Sequence, residues 1–253
     1  MELSQITLRK SQWKQWKMCP AIYDYNWVQN LTSPQGVEQQ FGTQFHDSTK
    51  VFFDRVVDQE LEKCKDAREA FDYFLHTFKF EHPVVGKWFQ NFLIFEANRW
   101  GYLKVAAKEP LKFWRPVAYE MSLLSKPVGF MMHVDRIDRL SDGNLINIEY
   151  KAEKYINMSS LRGELNFYNY GINASGKYTE QVTMIGYYNP LLHRQFSEQL
   201  KPRSVQYMLR QVTLCRRGIA SGVFTPRPQR FCRYCSHNFR CLARGVFDAD
   251  FIA

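Results

Sequence analysis

The chain lacks any uncharged apolar run of the roughly 20 residues needed to cross a bilayer, and no charged-then-apolar leader precedes its first tryptophan, Trp13. A membrane-spanning protein and a secreted disulfide scaffold are therefore not expected. The expectation is a soluble, cytoplasmic protein whose thiols stay reduced. Internal repeats, low-complexity tracts and long linkers are also missing, which excludes solenoids and disordered arrays. No polybasic block flanks an apolar anchor, so recruitment to a membrane surface is not indicated either. Negative charge is in short supply, with 25 acidic residues against 34 Lys and Arg and a net charge of +9. That imbalance points to a polyanionic partner, nucleic acid first. With 253 residues and 16% aromatics, the chain can bury a sizeable core as one large domain, or as a domain with a helical elaboration.

Cysteine is sparse, six in all, and unevenly placed. Cys64 and Cys215 are scattered as small hydrophobes usually are. Cys232, Cys235 and Cys241 are packed together in FCRYCSHNFRC, and a fourth thiol, Cys19, lies far upstream. The C-x2-C-x5-C spacing lets three thiolates converge on one metal centre, and Cys19 as the fourth ligand would clasp the two ends of the chain together. Lys17, Arg233, Arg240 and Arg244 are neighbours in sequence, and cations favour the thiolate form that binds metal. Spacing alone does not separate structural zinc from an iron-sulfur cluster, since both accept four thiolates.

Apolar periodicity predicts two short helical pieces over residues 11–28, broken at Cys19-Pro20, and helices over 37–64, 66–80 and 84–107. After Pro116 the pattern changes to strands at 117–124, 128–140 and 145–153, the last two joined by the turn Ser141-Asp142-Gly143-Asn144. Helices are expected again over 159–173, 177–188 and 205–221, with residues 189–203 holding either a short strand or a loop. The reading is an α/β fold, a small mixed central sheet flanked by helices. It divides into a mainly helical part (1–114), a core (115–190) and a C-terminal helix with the cysteine cluster (191–253).

The strands carry the chemistry. Asp135 lies in one strand of the hairpin, and Glu149 and Lys151 lie two apart in the next, so that they share a face. Two carboxylates with the intervening main-chain carbonyl of Tyr150 suit a hard divalent cation such as Mg2+ or Mn2+. Lys151 can orient a water or offset charge building on a phosphate. A hairpin salt bridge would use the same residues. His46, predicted mid-helix one turn after Gly42, can complete the metal site or serve only as a helix histidine. Glu120, on the preceding strand, can bind metal through water or pair with a basic residue. Residues 154–181 are rich in Tyr and Asn, suited to packing or to stacking on unpaired bases.

FGTQFHDST, VGFMMHVDRIDRLSDG, INIEYK and FCRYCSHNFRC, in that order and with Cys19-Pro20 upstream, resemble the RecB-like group of PD-(D/E)xK nucleases. The arrangement of one N-terminal and three C-terminal cysteines is similar to that of the CRISPR-associated iron-sulfur exonucleases and the AddB nuclease domain. The resemblance implies a restriction-endonuclease-like core with a C-terminal iron-sulfur subdomain. It implies that His46, Asp135 and Glu149 hold the metal, that Lys151 is the catalytic lysine, and that Cys19, Cys232, Cys235 and Cys241 ligate a [4Fe-4S] cluster. The family's Q-x3-Y helix is matched only by Gln181, with Ile185 in place of the tyrosine; Gln181 is the candidate for positioning DNA. The implied activity is hydrolysis of single-stranded DNA ends or tails, largely 5'-to-3'. The implied settings are CRISPR adaptation, recombination and repair, or a mobile element's own DNA processing, with the proteins of those processes as partners. A non-catalytic DNA-binding subunit and a structure-specific endonuclease are the rival readings.

Overall fold

The computed structural model describes residues 6–31, 36–79, 82–241 and 243. A two-residue strand, β1 (Leu8–Arg9), leads directly into α1 (Lys10–Met18), and α2 (Pro20–Tyr23) follows. Cys19 ends the first helix and begins the second in an extended conformation. The break falls there because Pro20 has no N–H to donate and fits only the first turn of a new helix. The strand β1 is new: two residues offer no periodicity to read.

The helix expected over 37–64 is two helices, α3 (Val37–Arg55) and α4 (Asp58–Lys63). They part at the β-branched pair Val56-Val57, where Val56 turns extended and is buried. The guanidinium of Arg115 caps the exposed end of α3, donating to the Phe53 carbonyl at 2.7 Å and to that of Val56. Next come α5 (Ala67–Thr77), capped by the Asp66 carboxylate on two amides, then α6 (Pro83–Ala106) and α7 (Pro110–Trp114). These helices bury a densely aromatic core that includes Phe45, Phe52, Phe74, Phe92, Trp100 and Trp114. Tyr150 and Tyr188 join it from the sheet, so the helical layer and the sheet share one core.

The sheet is mixed, as expected. β2 (Ala118–Ser125) runs antiparallel along one edge of β3 (Phe130–Arg139) for nearly its whole length. The other edge of β3 is shared. β1 pairs in parallel with Phe130 and Met131, and β4 (Leu145–Tyr150) pairs antiparallel from Arg139 back to Arg136. The C-terminal ends of β1 and β4 therefore point at each other across a short unpaired stretch of β3. The helix α8 (Met158–Ser175) then crosses over to β5 (Val182–Asn189), which pairs in parallel with β4, and β6 (Arg194–Gln199) adds an antiparallel edge. The long helix α9 (Pro202–Ser221) follows.

The sequence reading placed a helix over 177–188, and here it is corrected. Gly176, at φ +67°, ends α8, and the Asn173 side chain binds both main-chain groups of Val182, steering the chain into a strand. Val182-Thr183 and Tyr187-Tyr188 favour strand. Gly186 sits so close between neighbours that a Cβ would come within 3.2 Å of both Ile146 and the Phe196 carbonyl. Residues 194–199 form a strand rather than a loop. No helix of the described residues is long and apolar enough to cross a membrane.

Candidate functional site

The site lies where β4 parts from β3. Main-chain pairing between them stops at Arg136 and Ile148, and the next donor, the Tyr150 N–H, goes to the Asp135 carboxylate at 2.8 Å. An Asp at this position thus takes over a ladder bond with its side chain and is held with one oxygen free to face the gap. β4 stays paired with β5 beyond that point, and the Lys151 N–H donates to the Tyr188 carbonyl at 3.0 Å. Glu149 and Lys151 share a face, as their two-residue spacing requires, with Lys151 Nζ 2.8 Å from Glu149 Oε1.

The cleft has a volume of about 680 Å³, and His46, Glu120, Asp135, Glu149, Tyr150 and Lys151 are among its lining residues. His46 reaches it from the middle of α3. Its Nδ1 lies 2.8 Å from Glu120 Oε1 and 3.8 Å from Asp135 Oδ1. Ligand atoms of His46, Glu120 and Asp135 all fall within 4.8 Å of one another, a grouping able to hold a metal ion. Glu120 faces Asp135 across β2 and β3, and its φ of +41° puts a non-glycine residue in the left-handed region. Such a conformation costs about 1–3 kcal/mol and persists where surrounding structure imposes it. The twist serves Glu120's two contacts, since its other oxygen lies 2.8 Å from His133 Nε2.

Two residues here escaped the sequence reading. Lys10, the first residue of α1, extends from the end of β1 into the gap and places Nζ 2.5 Å from Glu149 Oε1, over the face of the Tyr168 ring at 4.5 Å. Glu164, on α8, lies 2.7 Å from Lys14 and 3.6 Å from both Lys10 and Lys151. Glu164 and Tyr168 are four apart on the helix that follows Lys151, so this helix, not the segment after Gly176, faces the cleft. Gln181 does not. It is exposed, and its carbonyl accepts from Leu145 at the opposite end of β4, which removes it as a group that touches the scissile phosphate. In the Tyr- and Asn-rich stretch, Phe167 and Tyr168 are buried, whereas Tyr155 is exposed.

The electrostatics are those of a site crowded with negative charge. Burial pulls the His46 imidazole down, but Asp135, Glu120 and Glu149 outweigh it and push it up to about 9. Burial and the nearby Glu149 raise Asp135. Burial also opposes ionisation of Glu149, yet Lys10 and Lys151 hold its carboxyl well below the usual range. Glu149 Oε2 is buried without a hydrogen-bond partner among the described residues, an expensive state for a carboxylate oxygen. An unpartnered acidic oxygen beside a His–Glu–Asp trio is a donor set that fits a hard divalent cation.

The four clustered cysteines do meet. Cys19, Cys232, Cys235 and Cys241 all line one pocket, with Ala21, Ile22 and Phe231 among its apolar walls. Two main-chain amides aim at sulfur there, Arg227 N–H at Cys19 Sγ (3.3 Å) and Gln229 N–H at Cys232 Sγ (3.4 Å). The terminal segments are further stitched by Gln229 and Arg227 donating to the carbonyls of Met18 and Lys17 at 3.0 and 2.8 Å. The expected lowering of the thiol pKa by arginine does not appear at Cys235, whose pKa is raised by burial, with the other three thiols adding to the effect. Arg233 and Arg240 instead stack on Tyr234 and Phe239, and Arg244 lies outside the described residues. Cys64 and Cys215 are buried away from this pocket. The four thiols thus line one pocket with N–H donors to sulfur, while the group of three or more ligand atoms within 4.8 Å among the described residues is His46, Glu120 and Asp135 and not these sulfurs.

No curated protein matches the chain. The family model described as the PD-(D/E)XK nuclease superfamily matches residues 10–242, a span that takes in Lys10, His46, the β3–β4 gap and all four clustered cysteines. With that match over nearly its whole length, and an acidic cleft built where two strands part, the chain belongs to the PD-(D/E)XK nuclease superfamily.

Proposed function

We propose that this protein is a divalent-metal-dependent exonuclease that hydrolyses phosphodiester bonds at single-stranded DNA ends or tails, with a largely 5'-to-3' preference. The observation that carries the reading is the convergence of His46, Glu120, Asp135, Glu149 and Lys151 in one open cleft, with a buried Glu149 oxygen left unpartnered. Mg2+ or Mn2+ held by His46, Asp135, Glu149 and the Tyr150 carbonyl would supply Lewis acidity toward the phosphate and lower the pKa of a water. The chain's own groups do the rest. Asp135 stays oriented by the Tyr150 N–H. Lys10 pins one oxygen of Glu149, which leaves the other aimed at the cleft. Lys151, whose ammonium form is favoured by Glu149 despite burial, donates to the attacking water or to the phosphate oxygen that gains charge.

The four-cysteine pocket supports a structural [4Fe-4S] cluster ligated by Cys19, Cys232, Cys235 and Cys241. Compatible settings are DNA trimming in CRISPR adaptation, recombination and repair, or processing of a mobile element's DNA. The test is digestion of end-labelled linear and circular single-stranded DNA by purified protein with Mg2+, Mn2+ or EDTA. Metal-dependent loss of linear DNA alone is expected. Cutting of circles assigns an endonuclease, and binding without cleavage assigns a non-catalytic subunit. Anaerobically purified protein should be brown and contain iron and acid-labile sulfide; a colourless protein with stoichiometric zinc overturns the cluster.

A further inference from the structure

The active-site cleft is lined by carboxylates, among them Glu38, Asp47, Glu120, Asp135 and Glu149, and so repels the backbone it is proposed to cut. A polyanionic strand must be gripped elsewhere. A second cleft, of about 380 Å³, opens between α1, α8 and the start of α9, and no carboxylate lines it. Lys17, Arg162 and Arg203 line it with Trp13 and Tyr207. Arg162 is held by Glu198 at 2.6 and 3.1 Å, whereas Lys17 and Arg203 have no carboxylate partner among the described residues. Tyr207 is 57% exposed. Trp13, 2% exposed, contributes an apolar wall to the cleft. Arg203 belongs to the first turn of α9, which carries neither an acidic residue nor a side-chain cap, so the positive end of a long helix adds to the field in the cleft.

The helix α1 connects the two clefts. Lys10 stands in the active site, Lys14 bridges to Glu164, and Lys17 lines the second cleft. From Lys10 to Lys17 a helix rises about 10 Å, the length of about three nucleotides stacked at the roughly 3.4 Å per-strand spacing of a duplex, and of fewer where the strand is extended. We propose that this second cleft is a nucleotide-binding subsite for the single strand whose end occupies the active site. Lys17 and Arg203 take phosphates, and Tyr207 stacks on a base. Grip of this kind tolerates any sequence, because every base has a face to stack. The proposal rests on the nuclease reading and adds to it where the strand lies.

The experiment measures binding in EDTA, where cleavage does not intervene, of fluorescent oligothymidylates about three and about twenty nucleotides long. The parent is compared with the double variant Arg203→Ala/Tyr207→Ala. Affinity for the long strand should fall about tenfold, with a shallower salt dependence, while affinity for the short one changes less than about twofold. With metal present, KM for the long strand should rise and kcat stay constant. Unchanged affinity for the long strand, or equal losses at both lengths, overturns the subsite and leaves the nuclease reading intact. A parent protein that fails to bind the long strand removes both. Should the double variant melt early, Arg203→Glu alone, at an exposed position, decides by the same two oligonucleotides.

Discussion

Asp135 and Arg136 are neighbours in β3 whose side chains leave the sheet in opposite directions, and each enters a buried cluster of charges. Behind the sheet the cluster is closed. Arg136, fully buried, pairs with Glu96 and, at 2.7 Å, with Asp138, while Arg99 reaches both acids at 3.1 Å. Two acids meet two guanidiniums that never lose their protons. In front, Glu120, Asp135, Glu149 and Glu164 face Lys10, Lys14, Lys151 and two histidines. Four acids against three lysines balance only with an added proton, on His46 or on Asp135, both of which are raised, and one Glu149 oxygen has no hydrogen-bond partner among the described residues. A buried pair satisfied by its own geometry needs nothing more. A cluster balanced by added protons can exchange them for a metal ion. The difference separates charges that hold the fold from charges that await a ligand.

The sharpest way to break the comparison is to remove one charge on each side. Asp135→Asn should cut metal-dependent cleavage by about a thousandfold or more while leaving the melting temperature unchanged or raised, since it relieves repulsion with Glu149. Cleavage assays and thermal melts on one preparation check this; full activity would sink the assigned site. Removing a base from the closed cluster should do the reverse. Arg136→Met strands Glu96 and Asp138 in the interior and should cost about 3–5 kcal/mol of stability, read from denaturant midpoints, with any folded fraction keeping its metal response.

The cysteine pocket gives a third contrast. Cys19→Ala should lower the melting temperature more than Cys64→Ala, because the first removes the upstream member of the four-thiol set and the second only a small buried side chain. Equal losses would argue that the four thiols share no ligand. Acidity sharpens the comparison further. With its pKa raised from 6.5 to about 9, His46 contributes stability to the metal-free protein that is full below about pH 6.5 and lost as the pH rises through about 9. Asp135, also raised, acts in the same direction. Metal-free protein should therefore melt progressively lower from about pH 6.5 to 9, while affinity for Mn2+ climbs over the same window as proton competition fades. Calorimetry in buffers of different ionisation heat would count the protons released. The smallest effect is expected at Lys10. Lys10→Met leaves Lys151 on Glu149 and should lower kcat by about tenfold, with Lys10→Arg recovering part of it.

The residues that sequence placed well are those whose positions in the fold follow from spacing along one element. Glu149 and Lys151 are two apart on a strand, three cysteines share one short loop, and His46 lies one turn from Gly42. What sequence could not place depends on pairing between distant segments. Lys10 enters the site because two residues of β1 happen to continue the edge that β4 leaves open, and no periodicity announces so short a strand. Glu120 was read as either an ion-pair or a water-mediated ligand; only its left-handed backbone shows it facing Asp135. Gln181 was misplaced because 177–188 was read as a helix, when the crossover helix had already ended at Gly176.

The order of synthesis gives the junction of β1, α1 and the cysteine pocket a temporal meaning. The segment of β1 and α1 leaves the ribosome before each of its partners, Phe130 and Met131, then Glu149, and finally Arg227, which lies 208 residues from Cys19. At about 5–20 residues per second, α1 waits roughly 10–40 s before its last partner exists. Contacts this remote in sequence also form late in folding. Lys10 therefore lacks its anchor until Glu149 has been made, and the thiol pocket stays open until Arg227 and the cysteines beyond it have followed, so the cleft can close before the pocket does. Pulse-labelled hydrogen exchange during refolding should find the amides of α1 protected after those of α6 and β3.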